Sequence, residues 1–436
     1  MLANFIFSLL LIAAALLFSM NVRRISQNIK MGKSISIKDQ KGKRWKNMLW
    51  IAIGQSKMTT RPISAVMHIF VYVGFIVINI EMLEILIDGI FGTHRSLLFL
   101  GAIYPVLISI FEIFALLVIL ACVIFLIRRN VIRLRRFWNK EMTSWPRSDA
   151  NIILVTEILL MTSVLFMNAA DGLLQTRGHA YYAATGSFLV SDLLHPLITG
   201  MSDGGLVILE RAAWWFHIIG VFIFLNYVPY SKHFHIFLSF PNVYYGKLGP
   251  IGKMANMPSI TNEIKMMLNP DAAAQMDSPP QEEEIGQFGA KDATDLDWKM
   301  LMDAYTCTEC GRCTSSCPAN ITGKKLSPRK VVMDVRDRIE EVGRFVRKKG
   351  KDATDDKTLF ERITPEELWA CTTCNACVQE CPVNIDPLAI ILELRRYLVM
   401  EKASAPGELN ATFSNIENNG APWQFSNEDR MQWSGQ

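Results

Sequence analysis

Apolar positions come in five long blocks, at about 2–22, 63–87, 99–127, 152–170 and 208–231. Each is close to the ~20 residues that cross a ~30 Å hydrocarbon layer, so each predicts a membrane-spanning helix. The polar residues between them are uneven. The segment from Asn21 to Pro62 carries eleven Lys and Arg against one acid, Asp39, and Arg128 to Asp149 carries seven. The loops at 88–98 and 171–207 carry one each, Arg95 and Arg177. Basic loops stay on the cytoplasmic side. The pattern therefore predicts an outward N-terminus and a cytoplasmic C-terminal region. The first block lacks a basic flank ahead of it and a small-residue cleavage site, and it reads as a retained helix rather than a signal peptide.

Beyond about residue 250 the pattern changes to that of a soluble protein. In Ser327 to Gly350 the apolar residues Val331, Val332, Val335, Ile339, Val342 and Val346 recur at helical spacing, and Pro387 to Lys402 repeats the theme. Residues 269–287 are acidic and Pro-containing and read as extended or poorly ordered. The chain thus divides into a membrane region at 1–240, a linker at 241–300, a soluble domain at 301–402 and a tail at 403–436. The tail reads as disordered, or as a partner-docking strap through Phe413, Trp423, Phe425 and Trp433. The fold class is all-α. Half of the residues are hydrophobic and the net charge is only +4, which gives no reason to invoke nucleic acid.

Eight of nine cysteines fall in two copies of one run, "CTECGRCTSSCP" and "CTTCNACVQECP", that start 64 residues apart. Both are C-x2-C-x2-C-x3-C-P, the run that holds [4Fe–4S] clusters, in which the fourth cysteine reaches the other cluster. That rule assigns Cys307, Cys310, Cys313 and Cys381 to one cluster, and Cys371, Cys374, Cys377 and Cys317 to the second. Paired zinc sites use separated C-x2-C knuckles instead, and disulfides need an oxidising compartment. The flanking helical patterns make this an α-helical, ferredoxin-like two-cluster domain. The ninth cysteine, Cys122, lies inside the third block and reads as a core or lipid-facing residue.

Ionisable groups at membrane depth are expensive and mark functional sites, and imidazole is a common axial ligand of haem iron. His217 and His235 are 18 residues apart. On one straight helix that is five turns, which puts both on one face about 27 Å apart. His233 would point away and reads as cytoplasmic surface. His68 opens the second block at the depth of His235, so the two pair around a cytoplasmic-side haem b. His217 has no matched histidine. Met82 and His195 are the candidates for completing a second haem. Glu81 and Glu84, late in the second block, are candidates for passing protons to or from a quinone. His94 reads as exposed loop, and Trp214, Trp215, Tyr227 and Tyr230 as interfacial aromatics.

Five helices with His68, His217 and His235, followed by "DWKMLMDAYTCTECGRCTSSCPAN" and "LWACTTCNACVQECPVNID", resemble membrane-bound heterodisulfide-reductase-related iron–sulfur proteins. The membrane part resembles the gamma subunit of respiratory nitrate reductase, a five-helix dihaem b quinone-binding subunit. The soluble part is similar to the C subunit of heterodisulfide reductase. In the nitrate reductase pattern the second span carries two histidines ten residues apart. Ile78 stands where the second would fall, which puts the outer haem in question. Many relatives continue into a cysteine-rich CCG domain, whereas no cysteine follows Cys381. The resemblance implies that this chemistry sits on a separate cytoplasmic CCG-domain subunit, or that an electron-transfer flavoprotein is the partner. It also implies menaquinone.

Together these readings predict a quinone-linked oxidoreductase subunit of the cytoplasmic membrane, with its iron–sulfur domain in the cytoplasm. Electrons would pass between quinone, haem b, two [4Fe–4S] clusters and the soluble partner. The alternatives are a non-catalytic membrane anchor and electron wire, or a membrane iron–sulfur redox sensor. No glycine pattern for nucleotide binding is present, so NAD or flavin would belong to a partner.

Overall fold

The computed structural model describes residues 1–186, 188–269, 286–350, 353–424 and 428–435. Among them the chain is helical, and β pairing is confined to an isolated bridge between Lys33 and Asp297. Five helices are long and apolar enough to cross a membrane. They are α1 (Leu2–Ile29), α2 (Pro62–Phe91), α3 (Ile103–Leu126), α4 (Ser144–Thr176) and α5 (Asp203–Tyr227). These are the five expected apolar blocks. Three of the helices, α1, α2 and α4, outrun their blocks because helical hydrogen bonding continues into the polar flanks; α1, for example, runs through Arg23 and Arg24 to Ile29.

The chain forms two compact units. The first comprises Met1–Asn28, Lys38–Gly246 and Tyr305–Gly311, and the second Ile29–Ile37, Lys247–Ala304 and Arg312–Gln436. A break at Gly246 is close to the sequence boundary at 240. Two short exchanges are invisible to composition. Residues 29–37 belong with the second unit. Tyr305–Gly311, which carries the first two cysteines, belongs with the first.

In the first unit α2, α3, α4 and α5 pack in sequence order. Ile78 of α2 sits in a core with Ala115, Val118 and Cys122 of α3 and Leu160, Met161 and Leu165 of α4. Helix α1 packs through Phe7, whose ring lies 5.6 Å from that of Trp214 and 6.0 Å from that of Phe222. Trp214 is therefore buried among the helices. Phe7 fits because Gly89 of α2 has no side chain: a Cβ there would meet the ring at 2.5 Å. Small residues let apolar helices approach closely.

Helix α5 does not reach His235. Pro229 lacks an N–H, and the chain passes through two 3-10 turns, Val228–Tyr230 and Lys232–Phe234. Between them Ser231 is extended, with φ −113° and ψ 162°, and its hydroxyl accepts from the His233 N–H at 3.0 Å. His235 then opens a new helix, α6 (His235–Tyr244). The expectation that His217 and His235 share one straight helical face thus fails at Ser231.

In the second unit, Lys33 donates to the Leu296 carbonyl at 2.9 Å and accepts from Trp298 at 3.1 Å. Helix α7 (Pro328–Lys349) buries Val331, Val332, Val335, Ile339 and Val342, the expected stripe, and packs against α8 (Pro387–Arg396). Arg338, buried on α7, is held by Asp292 and Asp355. The acidic stretch 270–285 of the linker and Phe425 lie outside the described residues. The tail, read as disordered or docking, holds a helix, α9 (Gly407–Asn419), on which Phe413 and Ile416 are exposed.

Gly89→Val should overpack the contact with Phe7 at a cost of about 1–3 kcal/mol. A lowered melting temperature in detergent is expected, with part of it recovered by adding Phe7→Leu. A thermal-shift measurement on the single and double variants checks both.

Candidate functional site

The two cysteine runs share a backbone. The residue before the second cysteine is left-handed in both, Glu309 at φ +54° and Thr373 at φ +55°. So is the residue after it, Gly311 at φ +71° and Asn375 at φ +61°. Non-glycine residues adopt this region rarely. Its recurrence at matching positions fixes both loops in the same tight turn, which turns successive cysteines toward one side.

In the second unit Cys317, Cys371, Cys374 and Cys377 share one neighbourhood. The Cys317 thiol is pushed up by burial and by Cys371 and Cys374 beside it. The Cys377 thiol is pushed up by burial and by Cys371, Asp386 and Cys317. Thiols that repel one another's ionisation need a positive centre to become thiolates together. Backbone N–H groups are already aimed at the sulfurs, Thr373 to Cys371 Sγ at 3.4 Å and Ile385 to Cys381 Sγ at 3.3 Å. Such bonds stabilise the charge on cluster sulfur. These residues fit a [4Fe–4S] cluster. Among the described residues no group of three or more His, Cys, Asp or Glu closes around a single metal ion. Sequence reasoning missed Arg395. Its guanidinium donates to the Leu368 and Cys371 carbonyls and lies 4.8 Å from the Trp369 ring centroid. A cation there stands directly beside the second run.

Residues 306–385 match the family described as a 4Fe-4S dicluster domain. The chain carries a 4Fe-4S dicluster domain. It is 27% identical to the probable iron-sulfur-binding oxidoreductase FadF of Bacillus subtilis, over 99% of this chain and 61% of that protein. It is 28% identical to the EtfAB:quinone oxidoreductase of Syntrophomonas wolfei, over 88% of this chain and 52% of that one. The dicluster region alone is 34% identical to the C subunit of the ferredoxin/F(420)H(2)-dependent CoB-CoM heterodisulfide reductase of Methanosarcina acetivorans, over 24% of this chain and 52% of that relative. The chain therefore spans between half and two thirds of the length of these relatives. No solved structure matches it.

The histidines gather at the α5–α6 turn. His233, read from the sequence as cytoplasmic surface, is instead half-buried with its ring 5.6 Å from that of His235. Its pKa is held down at about 3, by burial first and then by His235 and His68. The structure thus brings His68, His233 and His235 together. Helical arithmetic could not find His233 because the chain turns at Ser231.

The tautomers of two imidazoles follow from their partners. His235 Nδ1 lies 3.0 Å from the Lys232 carbonyl, and His217 Nδ1 lies 3.1 Å from the Leu160 carbonyl. A carbonyl only accepts, so Nδ1 carries the proton in each and Nε2 presents a lone pair. Metal-ligating histidines are fixed in this way, so both rings suit haem ligation. Ser163 Oγ lies 3.3 Å from His217 Nδ1 as well. His195 is not brought to His217. It lies against Gly172, two to three turns along α4 from Leu160 and Ser163. Met82 packs against the core of Trp214 and Ile218 that flanks His217. Ile78 and its core neighbours fill the position of the missing second histidine with hydrocarbon.

At the other end of the bundle is a cavity of about 200 Å³ lined by Glu81, Glu84, Asp88, His94, Arg95, Glu210, Arg211 and Trp214, among others. Arg95 is buried, and donates to Asp171 at 2.7 and 2.9 Å and to Asn168 at 2.7 Å. His94 is not exposed loop: its Nε2 lies 3.4 Å from Asp171. Glu84 accepts from the Leu97 N–H at 2.8 Å and the Tyr104 hydroxyl at 2.9 Å. Glu81 differs. Its Oε1 is buried without a hydrogen-bond donor, 3.9 Å from Arg95 Nη1. Glu84 is thus held by Leu97 and Tyr104, whereas one oxygen of Glu81 is left without a donor.

Cys317→Ala removes the member of the second thiol group that comes from the first run. Non-haem iron should fall from about eight to about four per chain, with loss of one of two reduced paramagnetic signals. Anaerobic iron analysis and low-temperature resonance spectra check this.

Proposed function

We propose that this chain is a quinone-linked membrane electron-transfer subunit. It carries electrons between a quinone in the Glu81 cavity, haem b at the histidine cluster, two [4Fe–4S] clusters and a soluble redox partner. The observation that carries the reading is the gathering of His68, His233 and His235 at the α5–α6 turn in a chain that also carries a dicluster domain. Axial ligation by His68 and His235 is favoured because Lys232 already fixes the His235 tautomer. His217 is the candidate for a second haem, with Met82 rather than His195 as the residue that packs near it. Cys307, Cys310, Cys313 and Cys381 hold one cluster, and Cys371, Cys374, Cys377 and Cys317 the other. Haem and clusters supply one-electron chemistry when bound.

The chain's own residues do the rest. The cavity suits a planar quinone headgroup. Oxidation of a quinol releases two protons with its two electrons, and Glu81 Oε1 is the open acceptor for a ring hydroxyl proton. Arg95, anchored by Asp171 and Asn168, holds a positive charge beside it. Glu84 positions the Leu97 backbone and Tyr104. The distribution of Lys and Arg supports a cytoplasmic location for the cluster domain in the inner membrane. The names of the relatives, an EtfAB:quinone oxidoreductase and heterodisulfide reductase C subunits, support an electron-transfer flavoprotein or a heterodisulfide-reductase-like subunit as the partner; a CCG-domain protein is the form proposed for the latter. Menaquinone is the quinone proposed.

His68→Ala and His235→Ala should each abolish the same low-spin haem band in optical spectra. Anaerobically purified wild-type protein without such a band overturns the reading. Glu81→Gln should slow quinol-driven haem reduction by about 10²-fold, while dithionite still reduces the haem fully. Equal quinol rates in variant and wild type would remove Glu81 from the mechanism.

A further inference from the structure

Lys232 sits between the histidine cluster and the first cysteine loop, and every polar atom it has is engaged. Its backbone N–H donates to Asp149 Oδ2 at 3.1 Å, and its carbonyl accepts from His235 Nδ1 at 3.0 Å. Its Nζ donates to the Pro146 carbonyl at 2.6 Å and pairs with Glu309, with Asp149 Oδ2 at 3.7 Å. Asp149 also accepts from the Tyr227 hydroxyl. Glu309 lies between Cys307 and Cys310. Asp149 and Glu309 are only 2% and 4% exposed. A buried pair of this kind costs desolvation on both sides and adds little stability over an apolar contact. Its presence needs another reason, and Glu309 also holds an uncommon left-handed backbone.

We propose that the Lys232–Glu309 pair is the junction through which the histidine cluster is wired to the cluster held by Cys307 and Cys310. The inference rests on the haem and cluster assignment above. Lys232 is a positioning residue with two tasks. Its main chain orients His235, and its side chain pins the cysteine loop to the same turn. The connection from the imidazole to the Cys310 backbone then runs over two hydrogen bonds and one lysine side chain. One electron passes at a time, with no bond made and no proton carried. Its source is the quinol and its sink the soluble partner, or the reverse. The pair also sets the driving force. A carboxylate near a cluster disfavours an added electron and an ammonium favours it, strongly so at low dielectric.

Full-length protein carrying Glu309→Gln or Lys232→Met tests this by redox titration and by stopped-flow reduction with a soluble hydroquinone. Glu309→Gln should raise, and Lys232→Met should lower, the midpoint potential of the cluster bound by Cys307 and Cys310. Both should slow haem-to-cluster transfer about tenfold, with haem and iron contents unchanged, and Lys232→Arg should restore the rate. A merely structural pair would not give shifts of opposite sign. Potentials that stay put or move together, with haem and iron complete, overturn the junction. Wild-type protein lacking the haem band overturns the cofactor assignment and the junction with it. Glu309→Gln is nearly isosteric, which keeps the test valid if Lys232→Met fails to fold.

Discussion

The bundle is built around a rule of low-dielectric media: a charge taken out of water must meet its counter-charge there. Arg95 meets Asp171 at one end of the helices, and Lys232 meets Asp149 and Glu309 at the other. These groups decide where the loops go. Residues 92–102 fold inward because Arg95 reaches Asp171 and Asn168 and because Asp88 and Glu84 gather the N–H groups of Arg95, Ser96 and Leu97. The Tyr305–Gly311 loop packs with the helices that hold the histidines, where Glu309 meets Lys232 and Asn28 donates to the Tyr305 hydroxyl at 2.7 Å. The apolar stripes fix five helices. The paired charges fix what those helices present.

That division explains what was readable beforehand. Hydropathy is local, so the five spans and the valine stripe of α7 could be counted off the chain. The cysteine runs were readable because a cluster imposes its own spacing. The histidine geometry was only half readable. His68 and His235 follow from depth, but the break at Ser231 depends on how Pro229 and the Ser231 hydroxyl share hydrogen bonds, and it recruits His233. His94 looked exposed because its loop is polar, yet Asp171, 77 positions along, draws it inward. Glu309 carries no signal in the sequence beyond its place in the cysteine run. Its partner lies 77 residues earlier, and no periodicity links the two.

The two ends of the bundle differ in which polar atoms are left open. At the cavity Glu81 keeps an oxygen without a donor while Arg95 bonds Asp171 and Asn168. At the α5–α6 turn every polar atom of Lys232 is committed. The proposed function assigns coupled proton and electron chemistry to the first end and bare electron transfer to the second.

The paired left-handed residues of the cysteine loops carry a last consequence. Because the backbone alone sets the shape of each loop, the side chain before the second cysteine is released from any duty to the cluster. In one loop that vacancy of function is filled by Glu309, which ties the loop inward. In the other it is Thr373, whose hydroxyl bonds its own neighbour at 2.7 Å, beside the exposed Cys374. One duplicated turn thus carries a buried ion pair in one copy and a locally bonded hydroxyl in the other. The two loops differ at this position by one residue, Glu309 in the first and Thr373 in the second.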